Sequence, residues 1–276
     1  MTGFRGLDRK VRVGAVSYLN TRPLIYRFAE FAPDAELVLD VPSRLAALLS
    51  AGELDVALVP SIEAFRGHDY MVVSDACIAC RGPVLSVKLL SRVPIFEIRT
   101  LALDTGSRTS AALVRILLRA RFDVSPDVCS LHVSDEAFES GGGADAMLVI
   151  GDRAIHASRR VYSDQLDLGE EWWGWTGLPF VFAMWMARRG IDAKGVAAAL
   201  MRARDAGAAA LNAIATTAAR DVGIDEGTCL SYLRDNLHFT LGAEERKGLR
   251  LFHRHAARHG FVPAEYDPRT IGLIES

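Results

Sequence analysis

Ser17, Tyr18 and Asn20 follow directly on the β-type run Val11–Val16, and Pro23 and an apolar helical pattern come after them. These side chains donate and accept hydrogen bonds without carrying charge. In open α/β sheets a ligand sits in the crevice beyond the carboxyl ends of the strands. Hydroxyl, phenol and amide groups at such an end suit a small polar molecule, and folding alone does not require them there. A second cluster, Asp104-Thr-Gly-Ser-Arg-Thr-Ser110, follows a strand and opens the amphipathic helix that begins at Ala111. Ser107 is placed to cap that helix, leaving the amides of Arg108, Thr109 and Ser110 without intrahelical acceptors. Free amides, hydroxyls and the helix dipole together favour a carboxylate or a phosphate. The same residues also describe a well-capped helix that binds nothing, because Ser and Thr open many helices.

Other polar groups fall at comparable places. Val59-Pro-Ser-Ile-Glu63 puts Ser61 and Glu63 at the end of one buried strand, and Ile150-Gly-Asp152 puts Asp152 at the end of another. Gly151 there lets a backbone or a ligand approach closely. Ser86 interrupts the apolar run Val84–Leu90, either as a backbone partner or as a group facing ligand. Thr176-Gly177-Leu-Pro179 offers amides from an opposite wall, and Trp172, Trp173 and Trp175 crowd its approach as packing residues.

Several reactive arrangements are missing from the sequence: a Walker loop, GxGxxG after the first strand, HExxH and GxSxG. Cys77 and Cys80 form a CxxC without the second pair a zinc site needs, so the four cysteines (77, 80, 129, 229) read as incidental thiols and no metal is expected. The histidines mostly lie away from the strand ends, and His253, His255 and His259 fall on a helix that reads as surface. A histidine general base is not indicated.

The elements that must position these groups are written twice. Strand 11–16, a helix near 24–31, strand 36–41, a helix near 44–50 and strand 56–59 recur as strand 101–103, helix 110–119, strand 128–133, a short helix at 136–139 and strand 146–150. Asp55 and Asp145 stand at the same place in the two copies. Alternating strands and helices predict parallel sheets with right-handed crossovers, hence two α/β lobes around a shared cleft. The run 84–90 leaves the first lobe and 178–187 returns to it. From Asp192 the pattern is helical, over 193–219, 224–237 and 243–259. The division expected is 1–91 with 187–276 as one lobe and 92–186 as the other.

Composition bounds the function. Of 276 residues half are apolar and 24% charged, a globular profile, and the net charge of −2 carries no signature for nucleic acid or membrane. Arg246–Arg258 is locally basic but interspersed with acids, as a solvated helix face is. Residues 1–10 are polar and lead straight into a strand, and no apolar run approaches the roughly 18 residues of a membrane span. A cytoplasmic protein without disulfides is expected.

Taken together, Ser17-Tyr-Leu-Asn-x-x-Pro23, Leu58-Val-Pro-Ser-Ile-Glu63, Ser86-Val-x-Leu-x-Ser91, Asp104-Thr-x-Ser-Arg-Thr-Ser110, Ile150-Gly-Asp152 and Thr176-Gly-Leu-Pro-Phe-Val-Phe182 resemble the menaquinone-biosynthesis chorismate dehydratases. The resemblance runs from about Val11 to Trp185. Gly106 departs from the small polar residue expected there, which leaves the backbone amides intact. The resemblance implies a two-lobed, periplasmic-binding-protein-like (type II) fold with the ligand cleft between the lobes. It implies removal of water from chorismate to give 3-[(1-carboxyvinyl)oxy]benzoate, the first step of the futalosine route, without metal or organic cofactor.

On that reading the partner is a small dicarboxylate, with neither nucleic acid nor membrane, and the protein is a monomer or homodimer. Asn20 and Ser86 are the expected catalytic pair, and Ser17, Tyr18, Ser61, Ser107, Arg108, Thr109, Ser110, Asp152 and Gly177 the expected substrate-binding residues. Ser107 to Ser110 would hold one carboxylate while Asn20 and Ser86 orient the ring and stabilise developing charge. Glu63 and Asp152 are candidate bases, but a carboxylate beside a dianion is repelled. The substrate's own enolpyruvyl carboxylate is therefore the favoured proton acceptor. The rivals are a non-catalytic small-carboxylate binding protein, a ligand-sensing regulatory lobe, and the related 1,4-dihydroxy-6-naphthoate synthase.

Overall fold

A computed structural model describes residues 10–104, 106–131, 143–156, 162–266 and 270. Val13, Val56, Leu58 and Met184 belong to apolar runs covered on both faces, so their strands are buried throughout rather than alternating. The first repeat forms β1 (Val11–Val16), β2 (Ala35–Asp40) and β3 (Val56–Pro60). The second forms β6 (Thr100–Asp104), β7 (Asp127–Leu131) and β8 (Ala146–Ile150). Between them lie β4 (Tyr70–Cys80) and β5 (Val87–Ser91), and β9 (Asp164–Asp167), β10 (Phe180–Arg188) and β11 (His238–Thr240) follow.

One sheet has the order β11-β4-β10-β3-β1-β2 and the other β7-β6-β8-β5-β9. Within each, β3-β1-β2 and β8-β6-β7 are parallel and equivalent, as the duplicated pattern predicts. Asp55 and Asp145 also act alike. Asp55 accepts the Arg12 amide at 2.8 Å, and Asp145 accepts those of Arg99 and Thr100 at 2.9 Å, each tying the start of its lobe's central strand.

The sheets are mixed, not parallel throughout. β10 runs antiparallel to β3 and β4, and β5 runs antiparallel to β8 and β9. The reason is an exchange of strands: each sheet receives one strand just after the chain has crossed from the other. β5 therefore belongs to the second sheet and β10 to the first, which places the crossovers at 81–86 and 177–179 rather than after 91 and before 187.

Local chemistry explains the other departures. The helix expected near 24–31 is a 3-10 turn, Leu19–Ile25, with Pro23 inside it, and then α1 (Phe28–Phe31), separated by Arg27 in the left-handed region. Proline lacks the amide an α-helix would use. Next come α2 (Pro42–Ala51), α3 (Arg108–Phe122), α4 (Asp152–His156) and α5 (Leu168–Thr176). The helix expected over 193–219 divides into α6 (Lys194–Ala209) and α7 (Leu211–Val222). That over 224–237 is α8 (Glu226–Ser231) running into a π-helical turn, Tyr232–Asn236. The last helix, α9 (Ala243–Arg258), keeps its expected place. His253 on it is buried, not exposed, with its ring 4.9 Å from Phe65 and 4.4 Å from Tyr266. The short helix expected at 136–139 lies outside the described residues, and no described helix is long and apolar enough to cross a membrane.

Candidate functional site

A cleft of about 480 Å³ opens between the carboxyl ends of the two sheets. Its walls are chiefly apolar, with Ile78, Val84, Ile150 and Phe182 among them. The polar side chains that face it are Tyr18, Asn20, Ser86, Ser107 and Ser110. Among the described residues its lining holds no acid, histidine, lysine or arginine. Such a site offers neutral donors in surroundings where water is displaced and each dipole acts at lower effective dielectric.

Tyr18 caps the 3-10 turn after β1, and Asn20 lies within it. That turn is pinned from behind by α6: a side-chain carbon added at Gly207 would lie 2.0 Å from the Pro23 carbonyl oxygen. Only glycine lets the helix seat directly on the turn. From the other lobe, Asp152 accepts the Leu19 amide at 3.1 and 3.3 Å. Tyr18 lies over Gly151, which is left-handed (φ +71°) and whose added carbon would meet the ring at 3.1 Å. Burial pushes the Tyr18 phenol up to about 12, Asp104 and Asp152 raising it further and Arg153 opposing them.

Ser86 is buried in the first crossover and held through its backbone. Its amide donates to Val84 O at 2.7 Å and its carbonyl accepts from Gly151 N at 2.9 Å. Leu85, just before it, is left-handed at φ +59°, a conformation that needs support in a residue with a large side chain. Asp167 supplies that support, accepting the amides of Val84 at 2.9 Å and Leu85 at 2.6 Å. The same carboxylate caps α5 through Gly169 and Glu170. Burial raises the Asp167 pKa, and these amides oppose the rise.

Across the cleft, Ser107 caps α3. Its Oγ accepts the Ser110 amide at 3.3 Å and donates to Ser110 Oγ at 2.8 Å. The amides of Arg108 and Thr109 have no acceptor among the described residues, so the positive end of a 15-residue helix is open there. Asp104 turns its carboxylate to the Gly106 amide at 2.7 Å, and burial raises its pKa.

A family described as menaquinone biosynthesis matches residues 11–258. The chain belongs to this menaquinone-biosynthesis family. A relative in Thermus thermophilus, a chorismate dehydratase, is 31% identical over 230 residues, covering 77% of this chain and 83% of the relative. Among solved structures, protein AF1704 from Archaeoglobus fulgidus superimposes with a TM-score of 0.73 at 16% identity, covering 93% of this chain and 100% of that one. The periplasmic aliphatic sulphonate binding protein SsuA from Escherichia coli gives 0.63 at 16% identity, covering 98% and 95%. At these identities the structures show a shared fold, the two-lobed periplasmic-binding-protein-like arrangement expected from the sequence.

In this menaquinone-biosynthesis family member the remaining site candidates stand outside the cleft lining. Ser17 is exposed beside it, its amide bonded to Asp40 O. Thr109 joins the lobes instead, its Oγ1 accepting the Ile62 amide at 3.2 Å, and Ser61 Oγ donates to Val181 O at 2.7 Å within the first lobe. The Arg108 side chain turns away to Glu63, 3.1 Å off. Glu63 is buried among Arg108, Arg66 at 3.6 Å and His68 at 3.4 Å, so it is not a free base. Asp152 is occupied with Leu19, and Gly177 is the left-handed cap of α5. Trp172 packs on Phe180 and Phe252, as a core residue does.

Two residues escaped the sequence reading. Arg153 acts electrostatically on both Tyr18 and Asp104, and its place one residue past a strand-end acid was the available signal. Tyr232 brings a buried phenol to Ser86 and Asn20 from the C-terminal helices, and no motif marked it. The cysteines are free, with Cys77, Cys80 and Cys229 buried, and no metal-ligand cluster occurs among the described residues.

Proposed function

We propose that this chain is a chorismate dehydratase, a hydro-lyase acting in the cytoplasm that converts chorismate to 3-[(1-carboxyvinyl)oxy]benzoate and water. The observation that carries this reading is the character of the cleft: neutral hydroxyl, phenol and amide groups set in apolar walls, facing an open helix start. The Thermus thermophilus relative supports it independently.

Chorismate carries two carboxylates, and the Arg108 and Thr109 amides with the Ser107 and Ser110 hydroxyls suit one of them. Asn20 and Ser86 then lie beside the ring. The described lining has no base, so the substrate's enolpyruvyl carboxylate takes the neighbouring ring proton, which positioning alone promotes. The carbon–hydrogen electron pair becomes the new ring double bond as the adjacent hydroxyl leaves. Proton and hydroxide depart as water, and the ring becomes aromatic. Asn20 and Ser86 donate to the charge that develops, an interaction whose loss costs on the order of 2.7–4 kcal/mol of barrier per donor. The reaction as written requires no metal or organic cofactor.

Incubating the pure protein with chorismate and weighing the product tests the reading. A benzoate-like product lighter by one water supports it. Chorismate that binds and returns unchanged makes the chain a binding protein and overturns it.

A further inference from the structure

Tyr232 is fully buried, and its hydroxyl completes no hydrogen bond among the described residues. A buried hydroxyl left so costs about 1–3 kcal/mol, and a phenylalanine would avoid the cost. Its position supplies a reason for the oxygen. Tyr232 opens the π-helical turn Tyr232–Asn236, a rare geometry that occurs mostly as single-turn insertions and frequently at functional sites. The turn is tied to the first crossover, because Asn236 Nδ2 donates to Pro83 O at 2.9 Å. Asp167 grips the same crossover at Val84 and Leu85. Residues 83–85 are thus clamped from two sides immediately before Ser86.

The Tyr232 oxygen has the Ser86 and Asn20 side chains as its polar neighbours but completes a bond to neither, and burial raises the phenol's pKa so that it keeps its proton. Asn20 already accepts at Oδ1 from the buried Thr21 hydroxyl at 3.3 Å, which leaves its amide hydrogens for the cleft. Asn20 from the first-strand turn and Ser86 from the crossover thus line the cleft, with the buried Tyr232 of the C-terminal helices behind them.

We infer that Tyr232 is a positioning residue for the Asn20–Ser86 pair, its hydroxyl donating to that pair from behind while the pair faces the substrate. A serine hydroxyl has one proton and two lone pairs. When Ser86 turns its proton to a substrate oxygen, a lone pair on its Oγ is free to accept from Tyr232. Hydrogen bonds in such a chain polarise one another, which makes Ser86 a better donor. No proton is transferred and no bond to Tyr232 forms. The identity of the substrate rests on the dehydratase reading, whereas the placement of Tyr232 does not.

Tyr232→Phe tests this, since it keeps the ring and removes one oxygen. The melting temperature holds or rises, because the hydroxyl removed has no partner. With chorismate, kcat falls by about tenfold while KM stays nearly constant, as expected when a donor is misaligned but binding is intact. In the free protein, the side-chain amide resonances of Asn20, assigned by their loss in Asn20→Asp, shift on Tyr232→Phe while those of the exposed Asn212 stay. An unchanged kcat or an unmoved Asn20 pair overturns the inference. Should the wild type leave chorismate untouched, the dehydratase reading fails and the Asn20 resonances alone decide: a shift supports the placement, and no shift overturns it.

Discussion

The carboxylate of Asp152, in the second lobe, accepts the backbone amide of Leu19, in the first, one residue before Asn20. Lobe closure and the setting of the Asn20 turn are therefore one contact. It also explains why a strand-end acid beside a cleft for an anion is tolerated, since it faces the turn and not the ligand.

This contact predicts a pH signature. Burial raises the Asp152 pKa, with the Leu19 amide, Arg22 and His156 opposing. Between the unfolded value of about 3.9 and the raised native one, the native state binds more protons than the unfolded chain. Stability contributed by this group is thus present at low pH and falls as pH rises through that window. Asp152→Asn keeps an acceptor for Leu19 and removes the titration. Melting temperatures across this window should show the wild type losing ground to the variant as pH rises, and a gain with pH would contradict the assignment.

Glu63 is the other candidate base, and the structure gives it a different task. With Arg108, Arg66 and His68 around it, its carboxylate is held across the lobe interface and not aimed at the cleft. Glu63→Gln should lower stability by about 1 kcal/mol, a modest figure because Arg108 is part-exposed, and leave kcat within a few-fold. Loss of turnover in a variant that still folds and binds chorismate would restore Glu63 as the base and remove the substrate-assisted route.

Gly207 connects packing to the site most sharply. A methyl group there meets the Pro23 carbonyl at 2.0 Å, so α6 or the Asn20 turn must move. Gly207→Ala should destabilise by about 1–3 kcal/mol and reduce kcat, although residue 207 touches no ligand. Denaturant unfolding with steady-state kinetics checks both, and a variant as stable and active as the wild type would show that the turn is not set from behind.

Much of this was legible in the sequence where side-chain pattern decides structure. β1 and β8 coincide with the apolar runs 11–16 and 146–150, and Ser107 caps α3 as a serine before an amphipathic run should. The polar residues at the first-strand end and the helix start do face one cleft. What was not legible depends on contacts distant in sequence. Whether a strand-end acid faces ligand or another backbone, as with Asp152 and Leu19, is settled by the first lobe, 133 residues away. Arg108 left the cleft because Glu63 lies across the interface. The runs 84–90 and 178–187 were legible as crossovers, but the sheet that β5 joins was not, because the exchange of strands between sheets leaves no local mark.

The central claim is that neutral donors in this cleft, led by Asn20 and Ser86, remove water from chorismate. The direct measurement is mass analysis of chorismate incubated with the wild type, Asn20→Ala and Ser86→Ala under single-turnover conditions. The account predicts a product lighter by one water from the wild type, and about 100-fold slower formation from each variant that still binds. Unchanged chorismate with the wild type, or undiminished rates in both variants, would contradict it.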